Sequence, residues 1–373
     1  MRIVVLSIEY PPLGGGASPM IHAISKEYVQ SGHEVTAITM LFEHLPQHEV
    51  IDGVEVQRLQ CQRSSKHISH FWEHISFIIA ARAFLKKYLQ HHTIDFCHAH
   101  FLVPTGLLAR WLKRTYGIPY IITSQGSDVP GYNPDRFHFL HLFTPPLIRS
   151  IVQHSVNVVA PSRYLQDLIA RSIGYDSEKL VHIPSGIDPD FFSPAQKKPI
   201  ILSTGRLLPR KGFQYLIEAV SIVPLPYEVH ICGDGPMMKE LMEKAGQSLT
   251  PVVFHGWLDN QSEKYRTLLA EASIFCLVSA KENASTSLME ALSAGCAVIT
   301  STVSGCPETV GDAGICVSPA DVPALRYQLE YLIQNKEARL GYMKAGRSRA
   351  IHEYSWGTIA QSYLHLMSTA GKK

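Results

Sequence analysis

Ser279-Ala-Lys-Glu-Asn-Ala-Ser-Thr-Ser-Leu-Met-Glu-Ala-Leu-Ser-Ala-Gly295 carries two acids eight positions apart, Glu282 and Glu290. The apolar run before it, Ala272 to Val278, reads as a strand. The run holding Glu290 reads as a helix that ends at Gly295. Glu282 is then on a strand-to-helix loop, and Glu290 is in the first turns of the helix. In a parallel sheet such loops gather at the carboxyl ends of the strands, where ligands bind. Ser287 and Glu290 also form an S-x-x-E capping box, which accounts for both residues with no ligand. From this stretch alone, the binding and capping readings both stand.

The same alternation runs outward in both directions. In the first half, Ile3 to Ile8, Glu34 to Met40, Gly53 to Leu59, Asp95 to His100 and Pro119 to Ser124 read as strands, as do Val156 to Ala160 and Leu180 to Pro184. Helical stretches run to Gln30, over Ser69 to Leu89 and over Pro104 to Tyr116. Three prolines and a Lys-Lys pair between Asp188 and Pro199 read as a linker. The pattern then restarts with strands at Ile200 to Thr204, Tyr227 to Cys232, Val252 to His255, Ser273 to Val278, Ala297 to Ser301 and Ile315 to Val317. Phe213 to Val220, Leu325 to Arg349 and Trp356 to about Met367 read as helices. Such alternation predicts α/β domains with parallel sheets covered by helices on both faces. Each half opens with a strand and a Gly-containing loop, Gly14 to Gly16 and Gly205 to Gly212. Two doubly wound domains would set those loops on facing strand ends.

Composition bounds the class. The 373 residues suit roughly two domains, and 46% apolar against 18% charged residues argues for folded cores. A net charge of +2 gives no nucleic-acid footprint. Fifteen of the 19 histidines precede residue 191, so the first half is expected to turn positive as pH falls towards ~6. The seven cysteines are scattered without a C-x-x-C, as in a reducing compartment. The N-terminal apolar run is too short for a signal peptide. No apolar run approaches the roughly 18–20 residues of a membrane-spanning helix. A soluble, cytoplasmic protein is expected.

Three further motifs bear on chemistry. Gly205-Arg-Leu-Leu-Pro-Arg-Lys-Gly212 leaves a strand and enters a helix. There Arg206 can fork two phosphate oxygens and Lys211 can add a point charge. As a bland alternative, the same loop is merely solvated and basic. In Gly233-Asp-Gly-Pro236, Gly233 and Gly235 allow close approach of a backbone or a nucleotide, or simply a tight turn. Gly14-Gly15-Gly16 can offer amides to an anion, although it is not a G-x-G-x-x-G dinucleotide motif. His70-Phe-Trp-Glu-His74 matches the zinc pattern H-x-x-E-H without a third ligand, and Asp188-Pro-Asp190 matches a metal-holding D-x-D placed in the linker. Neither is assigned a metal.

The ordered set resembles the retaining glycosyltransferases of family 4, with the GT-B fold. It comprises the first Gly loop, Gly205-Arg206 with Lys211-Gly212, Gly233-Asp-Gly-Pro236 and Glu282-x7-Glu290. Ile183-Pro-Ser-Gly-Ile-Asp188 and Tyr354-Ser-Trp356 fit the same pattern, so the resemblance spans nearly the whole chain. It implies two Rossmann-like domains: residues 1–190 on the acceptor side, with about 355–373 crossing back, and 199–354 binding a nucleotide sugar. Arg206 and Lys211 would hold the diphosphate, and Glu290 the ribose. Glu282 with Asn283, Ala284 and Ser285 would hold the sugar. Gly15 and Gly16 would approach the phosphates, and the base would sit between the Gly233 turn and Gly256-Trp257-Leu258. No cofactor or metal is implied; the nucleotide diphosphate sugar is a co-substrate.

One loop departs from the family pattern. Thr123-Ser-Gln-Gly-Ser-Asp128 has Gln125 where the family often carries a histidine, leaving Asp128 as the nearest ionisable group. His100, at a strand end, is a candidate for the acceptor side beside Gln125. The implied reaction is front-face transfer with retention, a donor phosphate oxygen taking the acceptor's proton. The implied acceptor is a glycan or lipid-linked sugar in envelope polysaccharide or lipopolysaccharide synthesis. Phe71 to Leu89, with Arg82 and Lys86-Lys87, either lies on an anionic inner-membrane surface or packs inside the first domain. An epimerase or phosphorylase-like enzyme of the same fold, and a sugar-nucleotide-binding scaffold without turnover, are the rival readings.

Overall fold

The structure is a computed structural model that describes residues 1–66, 68–132, 144–174 and 177–370. The chain divides into two compact units. Met1–Pro184 and the chain from Trp356 onward form the first, and Ser185–Ser355 form the second.

The first unit is built on β1 (Arg2–Leu6), β2 (Glu34–Met40), β3 (His48–Ile51), β4 (Val54–Leu59), β5 (Phe96–His100), β6 (Tyr120–Thr123), β7 (Val158–Ala160) and β8 (Leu180–His182). They lie in the order β3-β4-β2-β1-β5-β6-β7-β8, parallel throughout except for the β3–β4 pair. The inner strands β5 and β6 are wholly buried, which is why they read as continuous non-alternating runs. The edge strand β3 alternates between exposed and half-buried positions. Asp52-Gly53, both at positive φ, turn it into β4. Helices α1 (Ala17–Gln30), α2 (Phe71–Tyr88), α3 (Thr105–Tyr116), α4 (Pro145–His154) and α5 (Arg163–Ile173) cover the sheet.

The second unit carries β9 (Lys198–Thr204), β10 (Glu228–Cys232), β11 (Val252–Gly256), β12 (Ala272–Leu277), β13 (Ala297–Ser301) and β14 (Gly314–Val317). Their order is β11-β10-β9-β12-β13-β14, all parallel. Its helices are α6 (Phe213–Ser221), α7 (Met238–Ala245), α8 (Glu263–Glu271), α9 (Thr286–Ser293), α10 (Cys306–Val310), α11 (Val322–Gln334) and α12 (Lys336–Tyr354). The last helix, α13 (Trp356–Ala370), belongs to the first unit, where it packs on α1 and buries Ile359, Ala360, Tyr363 and Met367.

Two expectations need correction. The stretch from Asp188 to Pro199 is not a free linker, and residues 185–190 belong to the second unit rather than the first. The Ile187 N–H donates to the Tyr354 carbonyl at 2.7 Å, and Phe192 is buried in that unit's core. Leu325 to Arg349 is not one helix. Asn335 breaks it, and its side chain accepts the Ala338 N–H at 3.0 Å, capping α12.

In both sheets the chain builds outward from one strand, then returns to its other side. The switch points are β1/β5 in the first unit and β9/β12 in the second. Open α/β sheets bind ligands just beyond the carboxyl ends of the strands at such a point.

Candidate active site

At the second unit's switch point, the loops after β9 and β12 bring opposite charges together. The Lys211 ammonium and the Glu282 carboxylate form a hydrogen-bonded ion pair, with both side chains mostly out of water. Glu282 is held from behind by the next loop along. Its N–H donates to Ser304 Oγ at 2.9 Å, and its carbonyl accepts the Gly305 N–H at 3.2 Å. Arg206, on the β9 loop, is exposed and meets no acidic side chain among the described residues.

Glu290 lies within α9 and is buried. Its Oε2 accepts a hydrogen bond from the Tyr265 hydroxyl at 2.6 Å, and Asn260 supplies a second side-chain hydrogen bond. Burial raises the Glu290 carboxyl to about 7, against the downward pull of these two hydrogen bonds. Burial also pushes the Tyr265 hydroxyl well above its ordinary value, with the Glu290 charge adding to the rise. The Tyr265 hydroxyl also meets Thr204 Oγ1, at the end of β9, at 3.3 Å. The capping box does not form. The N-cap of α9 is Ser285, two residues before Ser287, and no side chain among the described residues caps this helix. Ser287 Oγ instead meets Ser285 Oγ at 3.1 Å. Glu290 is therefore free of capping duty.

The glycines of this site bring loops together. Gly233 has φ +149°, and a Cβ there would overlap the Gly205 carbonyl oxygen. Gly212 has φ +81°, and a Cβ there would overlap the Val278 carbonyl oxygen. The three loops thus pack backbone to backbone, which fixes where Lys211 and Glu282 meet. The Gly233 N–H donates to the Gly256 carbonyl at 2.7 Å, so the turn with Gly235 joins the segment holding Trp257 and Leu258. Trp257 is largely exposed, whereas Leu258 packs against the core. Asn283, Ala284 and Ser285 bridge Glu282 to α9.

The first unit places a different set at its own switch point. His98 and His100 end β5, fully buried, with ring centroids 4.2 Å apart. His98 lies in a relay: Tyr28 Oη at 3.1 Å on one nitrogen, Thr123 Oγ1 at 2.8 Å on the other, and Tyr363 Oη 2.9 Å beyond. The Gln125 amide lies 3.3 Å from His100 Nδ1 and can donate to it, which would leave the ring proton on Nε2. That Nε2 is buried without a hydrogen-bond partner among the described residues. Burial drives His98 well below the ordinary value and His100 to about 3, so both are neutral at physiological pH. His74 is likewise pushed down to about 4 by burial. The expected positive turn of this half near pH 6 is therefore not shared by these three.

Other residues settle into structural roles. The half-buried Asp128 carboxylate accepts from Leu102 N at 2.6 Å, Gln125 N at 3.0 Å and Ser124 Oγ at 3.1 Å. It staples the loop, which leaves little of it for shuttling a proton. The Gly15 N–H donates to Glu9 Oε2 at 3.0 Å, so an acid already occupies that amide, while Gly16 starts α1. In His70-x-x-Glu73-His74, Glu73 caps α2 by accepting from His70 N at 2.7 Å, and His74 Nε2 meets Ser69 Oγ at 2.9 Å. Asp188 Oδ1 accepts from Asp190 N and Phe191 N, an Asx turn. No cluster of three metal-ligating side chains occurs among the described residues. Tyr265, Asn260 and Ser304 were not singled out in the sequence: they lie 22–30 residues from the acids they hold, outside any local motif.

Two such units with these loops at strand ends define a GT-B glycosyltransferase architecture. Residues 14–191 match the Glycosyltransferase Family 4 model, and residues 198–335 match Glycosyl transferases group 1. The chain is 24% identical over 403 residues to alpha-maltose-1-phosphate synthase of Mycolicibacterium smegmatis, across 98% of each chain. Sucrose-phosphate synthase from Thermosynechococcus elongatus shares the fold with TM-score 0.81 and 18% identity, covering 100% of this chain and 99% of that one. Anabaena HepE in complex with UDP-glucose matches with TM-score 0.72 and 17% identity, over 99% of this chain and 100% of that one. The chain belongs to the family 4-like glycosyltransferases.

Proposed function

We propose that this glycosyltransferase moves a sugar, with retention and without a metal, from a UDP- or GDP-sugar to a hydroxyl of a lipid-linked sugar or growing envelope glycan. The observation that carries the donor reading is the Lys211–Glu282 ion pair at the β9/β12 switch point, with the buried Glu290 joined through Tyr265 to Thr204 at the end of β9. Lys211 and Arg206 take the diphosphate, Lys211 turning from Glu282 towards the phosphates as the donor arrives. The ribose hydroxyls donate to Glu290, and Glu282 with the 283–285 amides holds the sugar. The turn at Gly233 and Gly235, with Trp257 and Leu258, receives the base.

The bond from the anomeric carbon to the phosphate oxygen breaks, and the acceptor oxygen bonds to that carbon on the same face. The acceptor's proton passes to the departing phosphate oxygen, so no strong protein base is required. Charge growing on the diphosphate is met by Lys211 and Arg206, whose preorganised charges do the work assigned elsewhere to oxyanion donors. Gln125 and His100 are hydrogen-bonding groups on the acceptor side, both neutral in this scheme.

A panel of UDP- and GDP-sugars in EDTA tests this. One donor should bind and be slowly hydrolysed, with the first-released sugar keeping the donor's anomeric configuration by NMR. Inversion at that carbon, or a strict need for a divalent cation, would overturn the mechanism; formation of a second nucleotide sugar without an acceptor would point to an epimerase.

A further inference from the structure

Helix α2 is apolar on two opposite sides, and the fold uses only one. Glu73, Phe77, Ala81 and Leu85, spaced by four, are buried towards β2, β4 and α3. On the opposite side, Trp72, Ile75 and Ile79 are 58%, 44% and 65% exposed. Their spacing of three and four sets them on one line, which Ala83 and Lys86 continue. A helix whose second apolar stripe faces water has a surface to cover. His70 stacks flat on Trp72, with centroids 4.6 Å apart, which holds the indole in place on the outside of the helix.

The charge along this helix is one-sided. No acid occurs between Glu73 and Asp95, and Glu73 is buried on the far side. Lys86 and Lys87 in the last turn are exposed and pair with no acid among the described residues. A second copy of the same face would bring these lysines no acid either. An anionic headgroup layer supplies both partners: acyl chains for the apolar line and phosphates for the lysines.

We propose that α2 docks the protein on an anionic phospholipid surface, with Trp72, Ile75 and Ile79 in the interface and Lys86 and Lys87 against headgroup phosphates. The helix lies in the interface plane and does not cross the bilayer; among the described residues no helix is long and apolar enough to span one. The lysine stems can follow the apolar line while their ammonium groups stay in the headgroup layer.

The test uses the full chain and vesicles, with no sugar substrate, so it stands apart from the donor reading. Co-sedimentation is measured with phosphatidylcholine vesicles containing one-third phosphatidylglycerol, and with phosphatidylcholine alone. Wild type should bind the anionic vesicles at least ~10-fold more tightly, since each lysine near such a surface contributes about fivefold. Trp72→Ser/Ile75→Ser/Ile79→Ser and Lys86→Glu/Lys87→Glu should each lose at least ~10-fold while melting like wild type, because the changed side chains are exposed. Failure of wild type to bind, or equal binding by both variants, would overturn the proposal. So would self-association of wild type that the triple variant abolishes, with no vesicle binding.

Discussion

The two units fill the same topological position with opposite chemistry. At the β1/β5 switch point the groups are neutral: two buried imidazoles, Gln125, and a relay of Tyr28, Thr123 and Tyr363. At β9/β12 they are ionic or ready to ionise: Lys211 with Glu282, and Glu290 beside Tyr265. The contrast extends to the glycine loops. In the first unit the amide of Gly15 is already taken by Glu9, whereas in the second the loop carries Arg206 and Lys211. Glycine after a first strand does not by itself make an anion site. The charges that the loop carries decide it, and by that measure the second unit is the one suited to a diphosphate.

The largest effect should come from the ionic side. In the proposed scheme Lys211→Ala removes the cation that faces the leaving group, and it should lower turnover ~100-fold or more, as losing one oxyanion donor does. Steady-state kinetics with the donor that binds would read it, and a loss under threefold would remove Lys211 from the chemistry. Gly233→Ala should come next, since its Cβ overlaps the Gly205 carbonyl at a φ that L residues rarely adopt. A loss of about 2–3 kcal/mol is expected, within the cost of strain at such positions, and thermal unfolding would measure it.

Glu290→Gln should weaken donor binding about tenfold, because hydrogen bonds to a charged group contribute roughly 1.5–3 kcal/mol. It should also flatten the pH profile. The Glu290 carboxyl titrates at about 7, raised from 4.5. A group with a raised folded pKa holds its proton below that value, so in the proposed scheme the ribose hydroxyls lose their charged acceptor there. Wild-type affinity should rise as pH passes upward through about 7. The same shift means that Glu290 reduces stability as pH rises from about 4.5 to about 7. The smallest effect should be that of Tyr265→Phe. Its hydroxyl lowers the Glu290 pKa, so removing it should move the midpoint of the binding profile to higher pH while leaving the high-pH affinity within a few-fold. A midpoint that stays put would show that Tyr265 only packs.

Much of this was legible in sequence because buried parallel strands announce themselves as short apolar runs. β2 and β13 have the bounds that their runs predict, and Gly295, at φ +68°, ends the α9 region as expected. The start of α9 was not legible in the same way. Ser285, Thr286 and Ser287 are three hydroxyl residues in a row, and spacing to Glu290 favours the wrong one. The edge strand β3 was missed because its exposed face gives no apolar run, although Asp52-Gly53 is a hairpin signal. The partners of the acids were hidden for another reason. Tyr265 reaches Glu290 from α8, Ser304 reaches Glu282 from beyond β13, and Gln125 reaches His100 from the next strand's loop. Only the sheet order brings these residues together, and no local pattern carries it.

The central claim is that the β9/β12 switch point holds a nucleotide sugar. Isothermal titration of the donor into wild type, Lys211→Ala and Glu290→Gln, in EDTA at pH 8, tests it most directly. The account predicts one-to-one binding to wild type and at least ~10-fold weaker binding to each variant, with all three proteins equally folded. Equal affinity in all three would contradict it.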